Sequence, residues 1–152
     1  MSLSIGYLTP RQLLIWDRRR RGLQEASIAR EFQVSRQTIH KALSIAHLKV
    51  LESLEEAARI NKIKIQKVNP VRGFLIGYSS HFKTETLITF STKNGIQIWY
   101  KHEGDCKNCD QLKECKEMLI AEAKERNISL PEDCLPSVYA EKLFAAITGD
   151  KK

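Results

Sequence analysis

The stretch EASIAREFQVSRQTIHKALS, residues 25–44, carries the most specific structural pattern in this chain. On both sides of the interruption QVS, its apolar residues recur at helical spacing. Ser35 closes that interruption, and a serine oxygen readily accepts a hydrogen bond from an orphan N–H at the start of a helix. The positions where two such helices would meet are apolar: Ile28, Phe32, Val34, Ile39 and Ala42. The stretch therefore predicts two helices joined by a tight turn.

This pattern matches a helix-turn-helix motif, which also needs a small residue where its two helices approach closely. Ala29 occupies that place. The turn usually contains glycine, and Gln33 stands in its position here. If the turn requires a left-handed backbone at this residue, Gln33 adopts it with strain, because a side chain disfavours positive φ.

A longer stretch, LTPRQ…RRRRGLQEASIAREFQVSRQTIHKAL, resembles the helix-turn-helix shared by sigma-factor region 4, LuxR-type regulators and archaeal Tfx-type regulators. Those proteins have LTxRQ, then a basic residue and Gly ahead of IA…VS…TI, and the match covers roughly the first third of this chain. The resemblance implies that the second motif helix enters the major groove of double-stranded DNA. It also implies that the helices before it touch backbone phosphates.

Carried onto this sequence, the resemblance implies a recognition helix that starts at Ser35. Its first two turns hold the candidate DNA-contacting residues Arg36, Gln37, Thr38, His40 and Lys41. Arginine pairs with guanine O6 and N7, and glutamine with adenine N6 and N7. Candidate phosphate contacts are the arginines that end the first helix: Arg18, Arg19, Arg20 and Arg21. The alternatives are a solvated basic face and a three-helix core that binds a protein.

Charge and composition agree with a polyanion-binding protein. The chain has 152 residues, 42% of them hydrophobic and 28% charged, which suits one ordinary domain or two small ones. Residues 1–66 hold 12 Lys and Arg against 6 Asp and Glu, whereas residues 67–152 hold 13 against 12. The basic excess therefore lies in the N-terminal part. Because neither a signal-peptide pattern nor a run of 18 apolar residues is present, we expect a cytoplasmic protein that does not span a membrane.

Two parts are predicted, a helix-turn-helix DNA-binding domain with a long connecting helix over residues 1–61 and an α+β sensing or dimerisation domain over residues 62–152. In the first part, Thr9 is expected to cap a helix that has Pro10 at its first position and that ends at Gly22. The buried side of that helix is expected to hold Leu13, Leu14, Ile15 and Trp16.

The third helix, from Arg36 onward, carries two apolar sets. One set contains Ile39, Leu43, Ala46, Val50 and Ala57, and the other contains Leu48, Leu51, Leu54 and Ala58. One set suffices for the core of the chain. The other set docks the sheet, pairs with a second copy, or is also buried within one chain. Because helix-turn-helix proteins commonly bind as two-fold dimers, we expect a homodimer.

The second part begins with a small antiparallel sheet of three or four strands over residues 62–101, where Asn94-Gly95 predicts a hairpin. Two helices follow in residues 102–152, the first expected to be capped by Asp110. The second is expected to end at Gly149, and one of its sides should hold Tyr139, Leu143, Ala146 and Ile147. The predicted fold class is therefore α+β, with an N-terminal helical domain, a sheet, and two C-terminal helices around a cysteine cluster.

That cluster is the C-x2-C-x5-C array of Cys106, Cys109 and Cys115. Because intracellular thiols stay reduced, the array favours a metal or redox role over disulfides. Structural zinc takes four Cys or His ligands. Cys134 is the preferred fourth ligand since it accounts for every cysteine, and His102 is the alternative. An iron–sulfur cluster, or free or disulfide-forming cysteines, are the competing interpretations.

The sequence thus predicts a DNA-binding transcription regulator that responds to metal occupancy, redox state or a small-molecule effector. We do not expect an enzyme, because no phosphate loop, nucleophile elbow or paired-carboxylate motif is found. One alternative is the DNA-binding part of a transposase or recombinase, for which a convincing set of acidic metal ligands is lacking. The other is an adaptor that binds the transcription machinery.

Overall fold

A four-stranded antiparallel sheet with helices on both faces organises residues 8–101, 108–129 and 135–149, the residues that a computed structural model describes. The helices are α1 (Pro10–Arg20), α2 (Glu25–Phe32), α3 (Arg36–Ile60), α4 (Leu112–Glu125) and α5 (Pro136–Thr148). The strands are β1 (Ile63–Asn69), β2 (Phe74–Ser79), β3 (Thr84–Ser91) and β4 (Gly95–Tyr100). The predicted α+β class is confirmed.

Local capping explains where the first and third helices begin. The Thr9 hydroxyl accepts the Gln12 backbone N–H at 3.2 Å, and the Gln12 side chain accepts the Thr9 N–H in return. The Ser35 hydroxyl accepts the Thr38 N–H at 3.2 Å. Both predicted caps are therefore confirmed.

The predicted cap of α4 is wrong. Gln111, and not Asp110, is the residue before this helix, and it makes no side-chain capping bond. The Leu112 N–H instead donates to the Cys109 carbonyl oxygen at 3.2 Å, so a tight turn occupies the place where an Asp110 cap would start the helix.

The sheet is a meander in which each strand pairs with the next one in the chain, in the order β1-β2-β3-β4. Asn94 precedes Gly95 at the β3–β4 connection, where Gly95 has φ 64° and pairs with Ser91. The predicted hairpin is therefore confirmed. The β1–β2 pairing contains one register shift, between Ile65 and Lys67.

Successive residues of the central strands alternate between two hydrophobic clusters, one on each face of the sheet. On the face that meets α3, Leu75 and Ile88 pack with Trp16 and with the second half of α3. On the opposite face, Phe74 and Leu87 pack with residues of α4 and α5. A third cluster joins α1, α2 and the first half of α3. The long helix α3 thus belongs to two clusters, one at each end.

Neither predicted apolar set of α3 forms the buried stripe alone. The buried stripe contains Ile39, Leu43, Ala46, Val50, Leu54 and Ala58. Leu48 is 54% exposed, whereas Leu54 faces the sheet. The buried residues come from both predicted sets because the first half of α3 packs against helices and the second half packs against the sheet. The two predicted parts, residues 1–61 and residues 62–152, therefore share a hydrophobic cluster.

One smaller expectation about a buried face is also wrong. Leu14 is 48% exposed, because the buried side of α1 is formed by Ile15 and Trp16. Helix α5 meets the sheet and α4 through Tyr139, Leu143 and Ile147, and Ala146, predicted on the same side of the helix, is exposed at its edge. Among the described helices, none has the length and apolar content that a membrane crossing requires.

Candidate nucleic-acid interface

One left-handed residue makes the turn between α2 and α3. Gln33 has φ 56° and ψ 43°, and the Val34 N–H donates to the Ala29 carbonyl oxygen at 3.0 Å. Positive φ is strained for any residue with a side chain. The turn keeps this conformation because Ile28 and Ile39, on either side of it, are both fully buried in the same cluster.

The start of α3 places every predicted contact residue at the surface. The exposed residues are Ser35, Arg36, Gln37, Thr38, His40 and Lys41. Ile39 lies among them and is fully buried, so this end of the helix packs through one side and faces solvent with the rest. The Arg36 and His40 side chains are 72% and 69% exposed, which leaves them accessible to a partner.

Glu25 connects α2 to this exposed face. Its carboxylate lies 3.1 Å from His40 Nδ1 and 3.7 Å from Arg36 Nε. The hydrogen bond with His40 is the main cause that lowers the pKa of Glu25, and the charge of Arg36 adds to it. Glu25 therefore holds the two side chains that flank the start of α3. Sequence reasoning missed this residue, because its partners lie beyond the turn and outside any helical spacing.

An open cavity of about 410 Å³ lies where α1, α2 and α3 meet. It is lined by Arg19, Gln24, Glu25, Ala26 and Arg36. The Arg19 guanidinium donates to the Leu23 carbonyl oxygen at 3.1 Å, which fixes its position at this surface. The exposed start of α3 thus continues into a concave region with an arginine on either side.

Asp17 gathers the arginines at the end of α1. It is 5% exposed, and Arg21 Nε donates to it at 3.0 Å. Arg18 lies 3.3 Å from Asp17 and 3.0 Å from Glu31. Part of the positive charge that the sequence carries here is therefore balanced by carboxylates of the same chain.

Arg20 departs from the predicted set of phosphate contacts. Its side chain is only 4% exposed, and its guanidinium pairs with Asp17 and lies 3.4 Å from Glu125 of α4. A side chain turned into the protein cannot reach a phosphate at the surface. Arg20 is therefore left out of the interface, while Arg18, Arg19 and Arg21 stay in it as candidates.

The cysteine array is described only in part. Cys109 is exposed in the turn before α4, and Cys115 is half-buried against the cluster of α4, α5 and the sheet. Cys106, Cys134 and His102 lie outside the described residues. Within the described ranges, no three His, Cys, Asp or Glu side chains come together as a metal site would need. The predicted zinc or iron–sulfur site stays a prediction.

Comparisons of the chain with known protein families, with curated proteins and with solved structures found no match.

Proposed function

We propose that this protein is a sequence-specific DNA-binding transcription regulator, in which α2 and α3 form a helix-turn-helix. The observation that supports this proposal most is the exposed start of α3. Its polar side chains face solvent in succession, while Ile39 holds the same turn to the core. A recognition helix needs this combination, since it must be rigidly held and must also enter the major groove with exposed side chains.

Within this proposal the residues divide into two roles. Arg36 and Gln37 contact base edges, where a good bidentate contact discriminates against a wrong base by about 1–3 kcal/mol. Arg19, Arg21 and Lys41 contact phosphates, which positions the protein without reading sequence. Glu25 orients Arg36, because its carboxylate lies against that guanidinium.

The test begins with selection of bound sequences from a random duplex library, followed by fluorescence anisotropy on the selected duplex. We expect Arg36→Ala to weaken binding to the selected duplex by about tenfold or more, while binding to an unrelated duplex changes less. Arg59→Ala is the matched control, since Arg59 lies near the other end of α3 with a side chain that is 71% exposed. We expect this control to bind as the wild type does.

Two outcomes would contradict the proposal. One is that the wild type fails to bind any duplex at low salt, where phosphate contacts are strongest. The other is that Arg36→Ala and Arg59→Ala lose affinity equally, which would indicate a diffuse charge effect.

The expected homodimer belongs to the same proposal, and sedimentation of the protein–DNA complex tests it by counting chains per duplex.

We also propose that the four cysteines hold a metal, with zinc preferred to an iron–sulfur cluster. The described pair supports this choice because Cys109 precedes α4 and Cys115 lies in its first turn, where the helix dipole favours thiolates. Metal analysis and a visible absorption spectrum of protein purified without oxygen test it. One colourless zinc per chain supports zinc, brown absorbance supports iron and sulfur, and metal-free protein overturns both.

A further inference from the structure

A small cavity of about 100 Å³ lies where the end of α1, the β1–β2 turn, the end of α4 and helix α5 meet. Four arginines and one carboxylate line it: Arg20, Arg21, Arg72, Arg126 and Glu125. Ala146 and Ile147 supply an apolar wall from α5. The cavity is separate from the exposed start of α3, and none of the proposed base-contacting residues lines it; Arg21 is the one proposed phosphate contact that it shares.

The arginines of this cavity differ in how fully their donors are used. Arg126 donates to the carbonyl oxygens of Arg72 at 2.6 Å, Gly73 at 3.2 Å and Phe90 at 3.0 Å, and its Nε donates to Glu122. It is therefore part of the framework of the cavity.

Arg20, in contrast, has spare donors. Its Nη2 serves Asp17 and Glu125, but its Nε and Nη1 are buried and have no hydrogen-bond partner in the described part of the chain. The Arg20 side chain is 4% exposed. Buried donors of a charged group are rarely left without an acceptor, because the loss of hydration is costly.

Charge around the cavity favours an anion. The four guanidiniums are opposed by three carboxylates, Asp17, Glu122 and Glu125, which leaves one positive charge in excess. Burial is the main cause that lowers the pKa of Arg126; the charge of Glu122 acts against it, and the charge of Arg20 lowers the pKa further. A bound anion would offset that repulsion between guanidiniums.

Glu125 restricts the kind of anion that this cavity can accept. Its Oε1 accepts the Thr92 N–H at 2.6 Å, but its Oε2 is buried and has no partner among the described residues. A fully ionised oxyanion would be repelled by this oxygen, whereas an oxyanion that keeps an O–H group would donate to it.

We propose that this cavity binds a small oxyanion that carries both acceptor oxygens and an O–H donor, with inorganic phosphate as its simplest representative. The acceptor oxygens face Arg20, Arg21 and Arg72, and the O–H donates to Glu125 Oε2. The size is suitable, since one water needs only about 10–15 Å³ and this cavity of about 100 Å³ has room for several. Arg21, whose side chain is 48% exposed, and the exposed Arg72 leave an open side for entry.

Isothermal titration of the full-length protein with potassium phosphate, potassium sulfate and dimethyl phosphate at equal ionic strength and neutral pH tests the proposal. Only inorganic phosphate retains an O–H group under these conditions. We expect saturable binding of phosphate and at least about tenfold weaker binding of the other two. Dimethyl phosphate also represents the DNA backbone, so its equal binding would assign the cavity to nucleic acid and overturn the proposal.

Two variants identify the site. Arg72→Gln removes one guanidinium from the cavity and should weaken phosphate binding by about tenfold or more. Among the described residues the Arg72 side chain makes one hydrogen bond, to the Ala146 carbonyl oxygen, and lies over the Phe74 ring, so we expect the variant to fold. Glu125→Gln keeps an oxygen for Thr92 but replaces the free acceptor with an amide, so phosphate should lose its advantage over sulfate. Arg59→Gln should bind phosphate as the wild type does. Equal phosphate and sulfate binding by the wild type, or unchanged affinity of Arg72→Gln, would overturn the proposal.

Discussion

Asp17 is buried, which is unusual for an aspartate, and it pairs with arginines that would otherwise be available to phosphate. Arg18, Arg20 and Arg21 all pair with it. A run of four arginines in the sequence indicates a surface ready for phosphate. In the folded protein, Arg20 of that run is enclosed. Asp17 also binds Arg18 and Arg21, so it competes for them with any phosphate that approaches.

Gln33 gives the sharpest prediction at the scale of single residues. Gln33→Gly should raise the free energy of unfolding by about 0.5–1 kcal/mol, because glycine adopts φ 56° without strain. Chemical denaturation measures this change. Gln33→Ala is the control, since alanine keeps the strain and should give no gain. Equal stability of the glycine and alanine variants would contradict the prediction.

His47 predicts a dependence of stability on pH. Burial first, and then the charge of Arg19, lower the pKa of His47 below its ordinary value, and its Nε2 is buried without a partner among the described residues. Below about pH 6.5 the unfolded chain takes up a proton at this position while the folded chain does not. His47 therefore does not lower the free energy of unfolding above about pH 6.5, and it lowers that free energy progressively as the pH falls toward the lowered pKa.

His47→Gln should flatten that decline when unfolding is measured between about pH 7 and pH 5. His81→Gln is the control, because His81 is exposed on the β2–β3 turn, and its pH profile should match that of the wild type. A wild-type profile in the His47 variant would show that the histidine does not carry the effect.

At the scale of elements, the features that could be predicted depend on neighbours within a few residues. Thr9 and Ser35 cap helices through residues three positions away, and Asn94-Gly95 makes a hairpin from two adjacent residues. The buried stripe of α3 could not be predicted in the same way. Leu54 is buried because a sheet formed later in the chain covers it, and local spacing carries no signal of that.

The candidate site likewise combines features that neighbouring residues in the sequence predict with features that depend on tertiary packing. The exposure of Arg36 and Gln37 follows from the helical spacing around Ile39, and the sequence alone predicts it. The pairing of Glu25 with His40 spans 15 positions, and the proximity of Arg20 to Glu125 depends on where the sheet places the ends of the first and fourth helices. Both contacts follow from tertiary structure, which periodicity does not encode.

Gly77 on β2 gives a prediction for the sheet. A Cβ there would lie 2.5 Å from Ile63 Cγ2 and 2.6 Å from the Lys64 carbonyl oxygen, beside the register shift of β1. Gly77→Ala should therefore cost about 1–3 kcal/mol of stability, measured by chemical denaturation.

Gly95→Asn is the matched control for this substitution. Gly95 has positive φ, an added Cβ there would have no atom of the described residues within 4 Å, and asparagine tolerates that conformation well. The control should cost less than about 1 kcal/mol. If the two variants are equally stable, crowding at Gly77 is not what requires a glycine there.

At the scale of the whole molecule, Arg126 joins the turn after β1, the end of β3 and helix α4. It donates to three backbone carbonyl oxygens and to Glu122, whose side chain is 0% exposed. Arg126→Met removes the partner of a buried carboxylate and should cost about 3–5 kcal/mol. The double variant with Glu122→Gln should recover part of that loss in the same denaturation experiment.

Arg59→Met serves as the control, because the Arg59–Glu56 pair is exposed and should leave the unfolding midpoint unchanged. A double variant no more stable than Arg126→Met alone would show that the backbone carbonyl contacts, and not the buried charge, make Arg126 important.

Trp16 has a consequence for how this protein can be recombined with others. It stands on the first helix, yet it is fully buried, its indole N–H donates to the Pro70 carbonyl oxygen at 3.0 Å, and its ring packs edge-on against Phe90. A fragment that ends at residue 61 would expose this indole and the sheet-facing half of α3 to water. The three N-terminal helices are therefore not a transplantable cassette. Any exchange, natural or engineered, that moves them to a new chain has to bring the sheet with them.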